Sequence, residues 1–404
     1  MSILDAKVEI PPTAGLPLRM RDLLSLQAGD FSRELAAFLD VPSVGIECSG
    51  TASLVVILET LRHASNRRTV VVPAYTCPLV VFAVARCGLH LRVCDVRRDS
   101  FEFDPEALAN ACDSDTLAIV PTHLAGRVAD LDPVIVLARQ CGAYVVEDAA
   151  QALGARDRNR SVGLRGDAGF FSLAAGKGLS IFEGGAWVAA DDSLRSELRL
   201  TSQRLIPRDY GQEALRCLEL LGYAALYGPH GLRQVYGAPL RRALRRGDIV
   251  AAAGDFFSPE IPLHRVSSWR QAVGLRALSR LGHFQQQLAE QAARRIPLLK
   301  KIPGVTVLGD HPAAVGTWPV LFVVLPDASM RDQALAELWG AGLGVARMFA
   351  FALPDYDYLR PWVAEQDLPN ARRFAACSLT ISNSPWLDDA HFASILAILA
   401  RHCR

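Results

Sequence analysis

Residues 143–154, AYVVEDAAQALG, and residues 166–189, GDAGFFSLAAGKGLSIFEGGAWVA, decide how this chain folds. In the first, Tyr144 to Val146 is a continuous apolar run that stops on two acids, Glu147 and Asp148. An uninterrupted apolar strand suits a sheet covered by helices on both faces, whereas a half-exposed strand would alternate. Outward from here the same kind of run recurs as GIEC (45–48), TVVVPAY (69–75), LRVCDV (91–96), LAIVPTH (117–123), GFFSLA (169–174) and AWVAA (186–190). Longer helical patterns separate the runs, with a proline-first start at Asp104-Pro105 and glycine stops at Gly88 and Gly142. This is the alternation of βα units building a mainly parallel sheet. The predicted fold class is α/β: a three-layer α/β/α large domain with a mainly parallel sheet.

Beyond residue 200 the pattern changes. Residues 203–262 hold the apolar segment LRCLELLGYAALYG (215–228) and the basic stretch LRRALRRG (240–247), which suit a lid, a dimer arm or a surface helix pair. Basic amphipathic helices can lie on membranes, but a solvated charged face beside a packing face is the commoner reading, so no membrane contact is expected. A long helical pattern over 267–299 then leads into VTVLG (305–309), TWPVLFVVLP (317–326), a helix from Arg331, TIS (380–382) and a helix from Asp388, the outline of a smaller C-terminal α+β domain. The predicted division is 1–262, the large domain with its extended 203–262 region, and 263–404, a crossing helix with the small domain.

The whole chain sets limits. Its 404 residues are 50% hydrophobic and 21% charged, enough for a sizeable core. Forty-three basic against forty-two acidic residues give a net charge of +1, which argues against a nucleic-acid partner, so any anion site is local. Nine cysteines without a CxxC pair suggest neither a disulfide framework nor a metal site and fit a reducing cytoplasm. MSILDAKVEIPPTAG carries no signal-peptide core, and no run reaches transmembrane length, so a cytoplasmic protein is expected.

Three segments carry chemistry. GIECSGTASLVVILETL (45–61) runs from a strand into a helix, so Ser49, Gly50, Thr51 and Ala52 stand where unpaired N–H groups and the helix dipole can cradle a phosphate. A plain N-cap at Ser49 or Thr51 accounts for the same residues. Asp148 ends a strand at the sheet edge where ligands of α/β folds sit, and an acid there can hold the protonated nitrogen of a pyridine cofactor. Gln151 follows one turn later; helix capping and a solvated helix face are their respective alternatives. Lys177 stands between Gly176 and Gly178 after an apolar strand, and lysines in partly desolvated sites become nucleophiles and Schiff-base formers. A surface-loop lysine is the plain alternative, weakened because lysine occurs only at 7, 177, 300 and 301. Ser172, on the preceding strand, can donate to a phosphate or bond locally.

The segments SGTASL, VVVPAYT, DVRRDSFEFDPEAL, PTHLAGRVADL, VVEDAAQALGA, SVGLRGDAGFFSL and GKGLSIFEGG, in this order and spacing, resemble the DegT/DnrJ/EryC1/StrS family of aminotransferases that depend on pyridoxal 5'-phosphate (PLP). The resemblance runs from about residue 12 to the C-terminus and implies fold type I, a homodimer with shared active sites, and transfer of an amino group from a donor such as L-glutamate to a keto acceptor, typically a nucleotide-linked sugar. Position by position it implies that Lys177 carries PLP as a Schiff base and moves the substrate proton. It also implies that Asp148 binds the pyridine nitrogen, Gln151 approaches the ring hydroxyl, and Ser172 with the Thr51 and Ala52 amides binds phosphate. His123 and Glu183 fall at family positions near substrate, and Arg265, in HRVSSWRQAVGLRALSRL (264–281), stands in the segment that crosses toward the partner's site.

Departures fall mostly on the substrate side. Cys77 replaces the aromatic residue many members place over the cofactor ring, Leu263-His264 replaces an asparagine-tyrosine pair, Gly178 an asparagine, and MFAFALPDYDYL (348–359) lacks the family histidine. Competing readings are transamination of a non-sugar or lipid-linked ketone, a dehydratase relative, in which histidine would replace Lys177, and a non-catalytic regulator on the same fold, which would leave the joint presence of Lys177, Asp148, Gln151 and Ser172 unexplained.

Overall fold

The computed structural model describes residues 8–24 and 29–403; Lys7 and the rest of the first seven residues lie outside the described residues. The apolar runs of the first half form strands β1 (Gly45–Glu47), β2 (Thr69–Pro73), β3 (His90–Cys94), β4 (Thr116–Ile119), β5 (Tyr144–Asp148), β8 (Ala168–Ser172) and β9 (Gly185–Ala189), with a small hairpin of β6 (Arg156–Asp157) and β7 (Arg160–Ser161) between β5 and β8. Seven of them make one sheet in the order β1-β9-β8-β5-β4-β2-β3. β2 pairs in parallel with β3 and β4, β4 with β5, and β5 with β8, while β9 runs antiparallel to β8 and β1.

The two-sided burial that the continuous apolar runs require is present. Val70, Val72, Ala118, Val120 and Val146 pack on one face with residues of the helices Gly50–Ala64 and Leu79–Arg86. Val71, Ile119 and Val145 pack on the other with the helices Pro105–Ala111 and Asp132–Cys141. Each such valine or isoleucine contributes roughly 1.5–3 kcal/mol by leaving water. The expected helix start is also in place: Asp104 accepts from the N–H groups of Glu106 (3.1 Å) and Ala107 (2.9 Å) ahead of Pro105. Gly142 ends the next helix in the left-handed conformation.

The second half forms an antiparallel sheet. Its strands are β10 (Thr306–Val307), β12 (Val320–Val324), β13 (Val345–Ala346) and β14 (Ser378–Ser382), in the order β10-β12-β14-β13; β11 (Ala314–Val315) instead pairs with β6. The helices Ala328–Leu338 and Asp389–His402 cover it. The single helix expected over 267–299 is two, Ser268–Leu278 and Leu281–Leu299. The chain bends at Arg280, whose guanidinium is held by the Pro17 carbonyl (3.1 Å) and by Asp22.

Residues on both sides of position 262 contribute to each core. Val273, Ala277, Leu281 and Phe284 pack with residues of β8 and β9, whereas Leu240 and Ala252 pack with the antiparallel sheet. The 203–262 region contains the helices Tyr210–Leu226, Ala238–Arg245 and Ile249–Ala253. The N-terminal segment ties the two halves together. Ala14 N–H donates to the Pro319 carbonyl (3.0 Å) and Leu16 N–H to that of Gly178 (3.1 Å), while the Thr13 hydroxyl donates to the Gly176 carbonyl (2.7 Å).

Candidate active site

The carboxyl ends of the parallel strands meet at one edge, where ligands of this architecture bind. There the last residues of β5 and β8, the loop after β2 and the helix after β1 line a single cavity of about 670 Å3. Asp148, Ser172, Lys177, Gly50, Thr51, Cys77, Gln151 and Glu183 all stand on its wall. The volume lies within the few hundred to a thousand Å3 typical of cofactor and substrate sites.

Two neighbouring acids on β5 have opposite situations. Glu147 is fully buried and saturated: it accepts from the N–H groups of Gly163 (2.6 Å), Arg165 (2.6 Å) and Gly166 (2.7 Å), and its Oε2 lies 2.9 Å from His123 Nε2. His123 Nδ1 accepts from Ala129 N–H (3.1 Å), so the proton sits on Nε2 and is donated to Glu147. Asp148 points the other way, as strand alternation requires. It is 3% exposed, yet among the described residues its carboxyl receives a single hydrogen bond, from Ala150 N–H (3.0 Å). Burial pushes its carboxyl up to about 6, against the bond from Ala150 N–H and the charge of Lys177. A buried, under-bonded carboxyl at the cavity floor is suited to meet a cationic ring nitrogen.

Lys177 reaches the same floor from a tight loop. Gly176 adopts φ +76° and hands the chain back toward the sheet, where Lys177 N–H donates to the Ala174 carbonyl (3.2 Å). The Gly176 N–H donates to the Tyr223 hydroxyl (3.4 Å), which pins the loop from the 203–262 region. Desolvation lowers the proton affinity of the half-buried Lys177, partly offset by the nearby Asp148 carboxylate. A lysine in that state is a nucleophile and a proton carrier.

The helix after β1 shows both readings of its sequence. Ser49 is the N-cap and its Oγ accepts from Ala52 N–H (3.0 Å), so that amide is engaged, and Ala52 itself is fully buried away from the cavity. Gly50 and Thr51 remain on the cavity wall at the positive end of the helix. A Cβ on Gly50 would come within 3.2 Å of Ser172 Cβ, so glycine lets the helix start close against β8. The Ser172 hydroxyl accepts from Ala174 N–H (3.3 Å), which leaves its proton for a ligand. These donors beside Asp148 and Lys177 fit a phosphorylated pyridine cofactor: a phosphate at the helix start, a ring on the acid and a carbonyl carbon at the lysine.

The remaining predicted residues separate. Gln151 lines the cavity, with its Oε1 accepting from Ala125 N–H (2.9 Å). The thiol of Cys77 is pushed up to about 12 by burial, so it stands there as a small neutral group. The Glu183 carboxylate lies 3.0 Å from Arg216 Nε, and burial raises its pKa. His123 lies behind the cavity floor and is not among the lining residues. Arg265 is exposed and bonded to the carbonyls of Ile206 (3.1 Å) and Gln203 (3.4 Å), outside the cavity of its own chain. The cavity also holds Thr76, Arg216, Tyr236, Asp255, Arg347 and Thr380. No sequence signal marked them, beyond Thr76 adjoining Cys77 and Arg216, Tyr236 and Asp255 lying in the unassigned 203–262 region. Among the described residues no helix is long and apolar enough to cross a membrane, and no group of three or more potential metal ligands occurs.

Comparison with known proteins points the same way. Residues 26–224 match the DegT/DnrJ/EryC1/StrS aminotransferase family. The erythromycin biosynthesis sensory transduction protein EryC1 of Saccharopolyspora erythraea is 30% identical over 340 residues, 84% of this chain and 78% of that protein. The dTDP-3-amino-3,4,6-trideoxy-alpha-D-glucose transaminase of Streptomyces venezuelae is 28% identical over 373 residues, 91% of this chain and 85% of its own. Among solved structures, DesV of S. venezuelae superimposes with a TM-score of 0.70 at 25% identity, covering 94% of this chain and 92% of DesV.

Proposed function

The chain belongs to the DegT/DnrJ/EryC1/StrS aminotransferase family and is a PLP-dependent aminotransferase, and from that premise we propose that it moves an amino group from L-glutamate to the keto carbon of a nucleotide-linked sugar. The observation that carries the proposal is the convergence of Asp148, Lys177, Ser172 and the Gly50-Thr51 helix start on one cavity of about 670 Å3. The transaminase name of the S. venezuelae relative supports the choice of acceptor.

When bound, PLP supplies an electron sink for negative charge developing at the substrate carbon. Asp148 would hold the ring nitrogen by its buried carboxylate, and Ser172 with the Gly50 and Thr51 amides would hold the phosphate. Gln151 would approach the ring hydroxyl. Lys177, desolvated and short of its normal proton affinity, takes a proton from the substrate carbon and returns it, as a base with a lowered pKa does near neutral pH. Glu183 and Arg216 present a paired anion and cation to the substrate side of the cavity. We place His123 as a support behind Asp148, and Arg265 at a homodimer contact in which each subunit completes its partner's site.

The test uses the purified protein loaded with PLP. L-glutamate is expected to bleach the visible absorption of the bound cofactor, and a nucleotide-linked keto sugar to restore it, while Lys177→Ala does neither and keeps the wild-type circular dichroism. A protein that binds PLP but stays spectrally inert to every amino donor would sink the proposal.

A further inference from the structure

The helical region after residue 207 returns to the cavity at its end: Ala252 to Asp255 and Phe257 stand on the wall. Asp255 differs from the others in being charged, 3% exposed and only half satisfied. Its N–H donates to the Val250 carbonyl (3.0 Å), just beyond Gly254 in the left-handed conformation. Its Oδ2 accepts from Ala350 N–H (2.6 Å) and the Tyr356 hydroxyl (2.7 Å), and its carbonyl accepts from the Tyr358 hydroxyl. All three donors belong to one segment after β13, so the carboxyl is clamped between that segment and the 203–262 region. Oδ1 has no partner among the described residues and is not sealed in by protein, and the open space at this residue is the cavity.

An acceptor oxygen fixed in a largely dry site and left without a donor is costly unless a ligand supplies one. The charges around it narrow the choice. A carboxylate repels the carboxylates of the amino donor and any phosphate of the acceptor, and these have Arg216 and Arg347 on the same wall. The group left to face Asp255 is a hydrogen-bond donor without negative charge, and on a keto sugar that donor is a hydroxyl. Asp255 lines the same cavity as Asp148, Lys177 and Cys77, and Cys77 lies within electrostatic reach of the other three. The geometry points to Asp255 as a specificity-determining residue whose Oδ1 accepts a hydrogen bond from a hydroxyl of the keto acceptor. This inference rests on the sugar-acceptor reading above and adds the residue that selects the acceptor. A site built to bond a hydroxyl rejects analogues that lack it far more strongly than an apolar pocket rejects a missing methylene.

Asp255→Asn preserves the shape. Its Oδ1 takes over the bonds from Ala350 and Tyr356, and its NH2 turns a donor toward the cavity where an acceptor stood. The PLP-loaded enzyme and the variant are compared in two separate half-reactions: bleaching by L-glutamate, then recovery on adding a panel of dTDP- and UDP-linked 4-keto-6-deoxyhexoses with deoxygenated analogues. The donor half-reaction is expected to change less than about twofold. The acceptor kcat/KM is expected to fall on the order of 10²-fold or more, and the affinity of the PLP-free protein for the same nucleotide sugars to weaken in calorimetry. For one deoxygenated analogue, wild type and variant should react equally, since the missing hydroxyl and the missing acceptor are the same loss. Equal acceptor rates for wild type and variant across the panel would overturn the role of Asp255 and leave the aminotransferase reading standing. A wild type that reacts with glutamate but with no member of the panel would overturn the sugar-acceptor reading and this inference with it.

Discussion

Glutamine at position 213 tests whether a buried charge cluster, rather than packing alone, holds the lysine loop in place. Glu213 Oε1 accepts from Ser267 N–H (2.8 Å) and Arg270 Nε (2.8 Å), and Oε2 lies 3.1 Å from His264 Nδ1. Arg270 is fully buried, and its other arm donates to the carbonyl of Glu183 (2.7 Å) at the exit of the lysine loop. Burial alone would raise the Glu213 carboxyl, but the bonds from His264 and Ser267 and the Arg270 charge outweigh it and bring it down to about 2 from an ordinary 4.5. At 1.36 kcal/mol per pH unit that difference is about 3 kcal/mol of folded-state stabilisation at neutral pH. Because the folded value is depressed, the contribution is complete above pH 4.5 and disappears as the pH falls toward 2. Glu213→Gln keeps the acceptor oxygen but loses the charge, so its denaturant-unfolding free energy should lie about 3 kcal/mol below wild type at pH 7. The gap should close to about 2 kcal/mol at pH 3.5. A gap below about 1 kcal/mol at pH 7, or one that does not change with pH, would refute the assignment of this stability to the Glu213 charge.

Two further outcomes follow from the cavity floor. Asp148→Asn should stabilise the PLP-free protein by about 2–3 kcal/mol at pH 7, because the folded carboxyl value of about 6 lies above the ordinary 3.8 and its stability contribution is lost as pH rises through that range. The same variant should lose turnover on the order of 10²-fold, and unfolding titrations beside half-reaction rates check both; equal stability above pH 6 would contradict the burial argument. Gly185→Ala would place a Cβ 2.1 Å from the Ser49 carbonyl oxygen and 2.5 Å from Gly50 N, both backbone atoms. It should push the helix start off β9, lower stability by about 3 kcal/mol and weaken PLP binding, measured by fluorescence titration; unchanged cofactor affinity would show that the helix start is not the phosphate cradle.

The large sheet was legible because its strands are buried on both faces and therefore read as unbroken apolar runs, Val70 to Val72 and Tyr144 to Val146 above all. Asp148 and Lys177 were legible because strand ends and glycine-flanked loops mark the carboxyl edge. His123 shares a strand end with Thr122, and one step along an extended chain reverses the side chain, so Thr122 lines the cavity while His123 lies behind it. Sequence alone does not count that step when the strand's last residues are irregular. The break in the helical pattern at Ser279-Arg280 carries no glycine or proline; it depends on Pro17 and Asp22, more than 250 residues away.

Asp255 was illegible for the same reason, and its proposed role puts the choice of acceptor in contacts that only tertiary packing assembles. GDFFSP (254–259) reads as an ordinary turn, and the carboxyl acquires meaning only when Ala350 and Tyr356 close on it from a segment about a hundred residues later. The residues proposed to hold the cofactor, by contrast, stand at or just after the ends of β1, β2, β5 and β8, each fixed by its own strand. A cofactor of constant shape can be held by local geometry, whereas an acceptor enters from outside and meets residues that tertiary packing brings together. The neutral, small Cys77 lines the same cavity as Asp255, where an aromatic ring would take up space. Cys77→Phe should therefore impair the acceptor half-reaction more in the wild type than in Asp255→Asn, and equal losses in the two backgrounds, read from half-reaction rates, would show that the positions are not coupled.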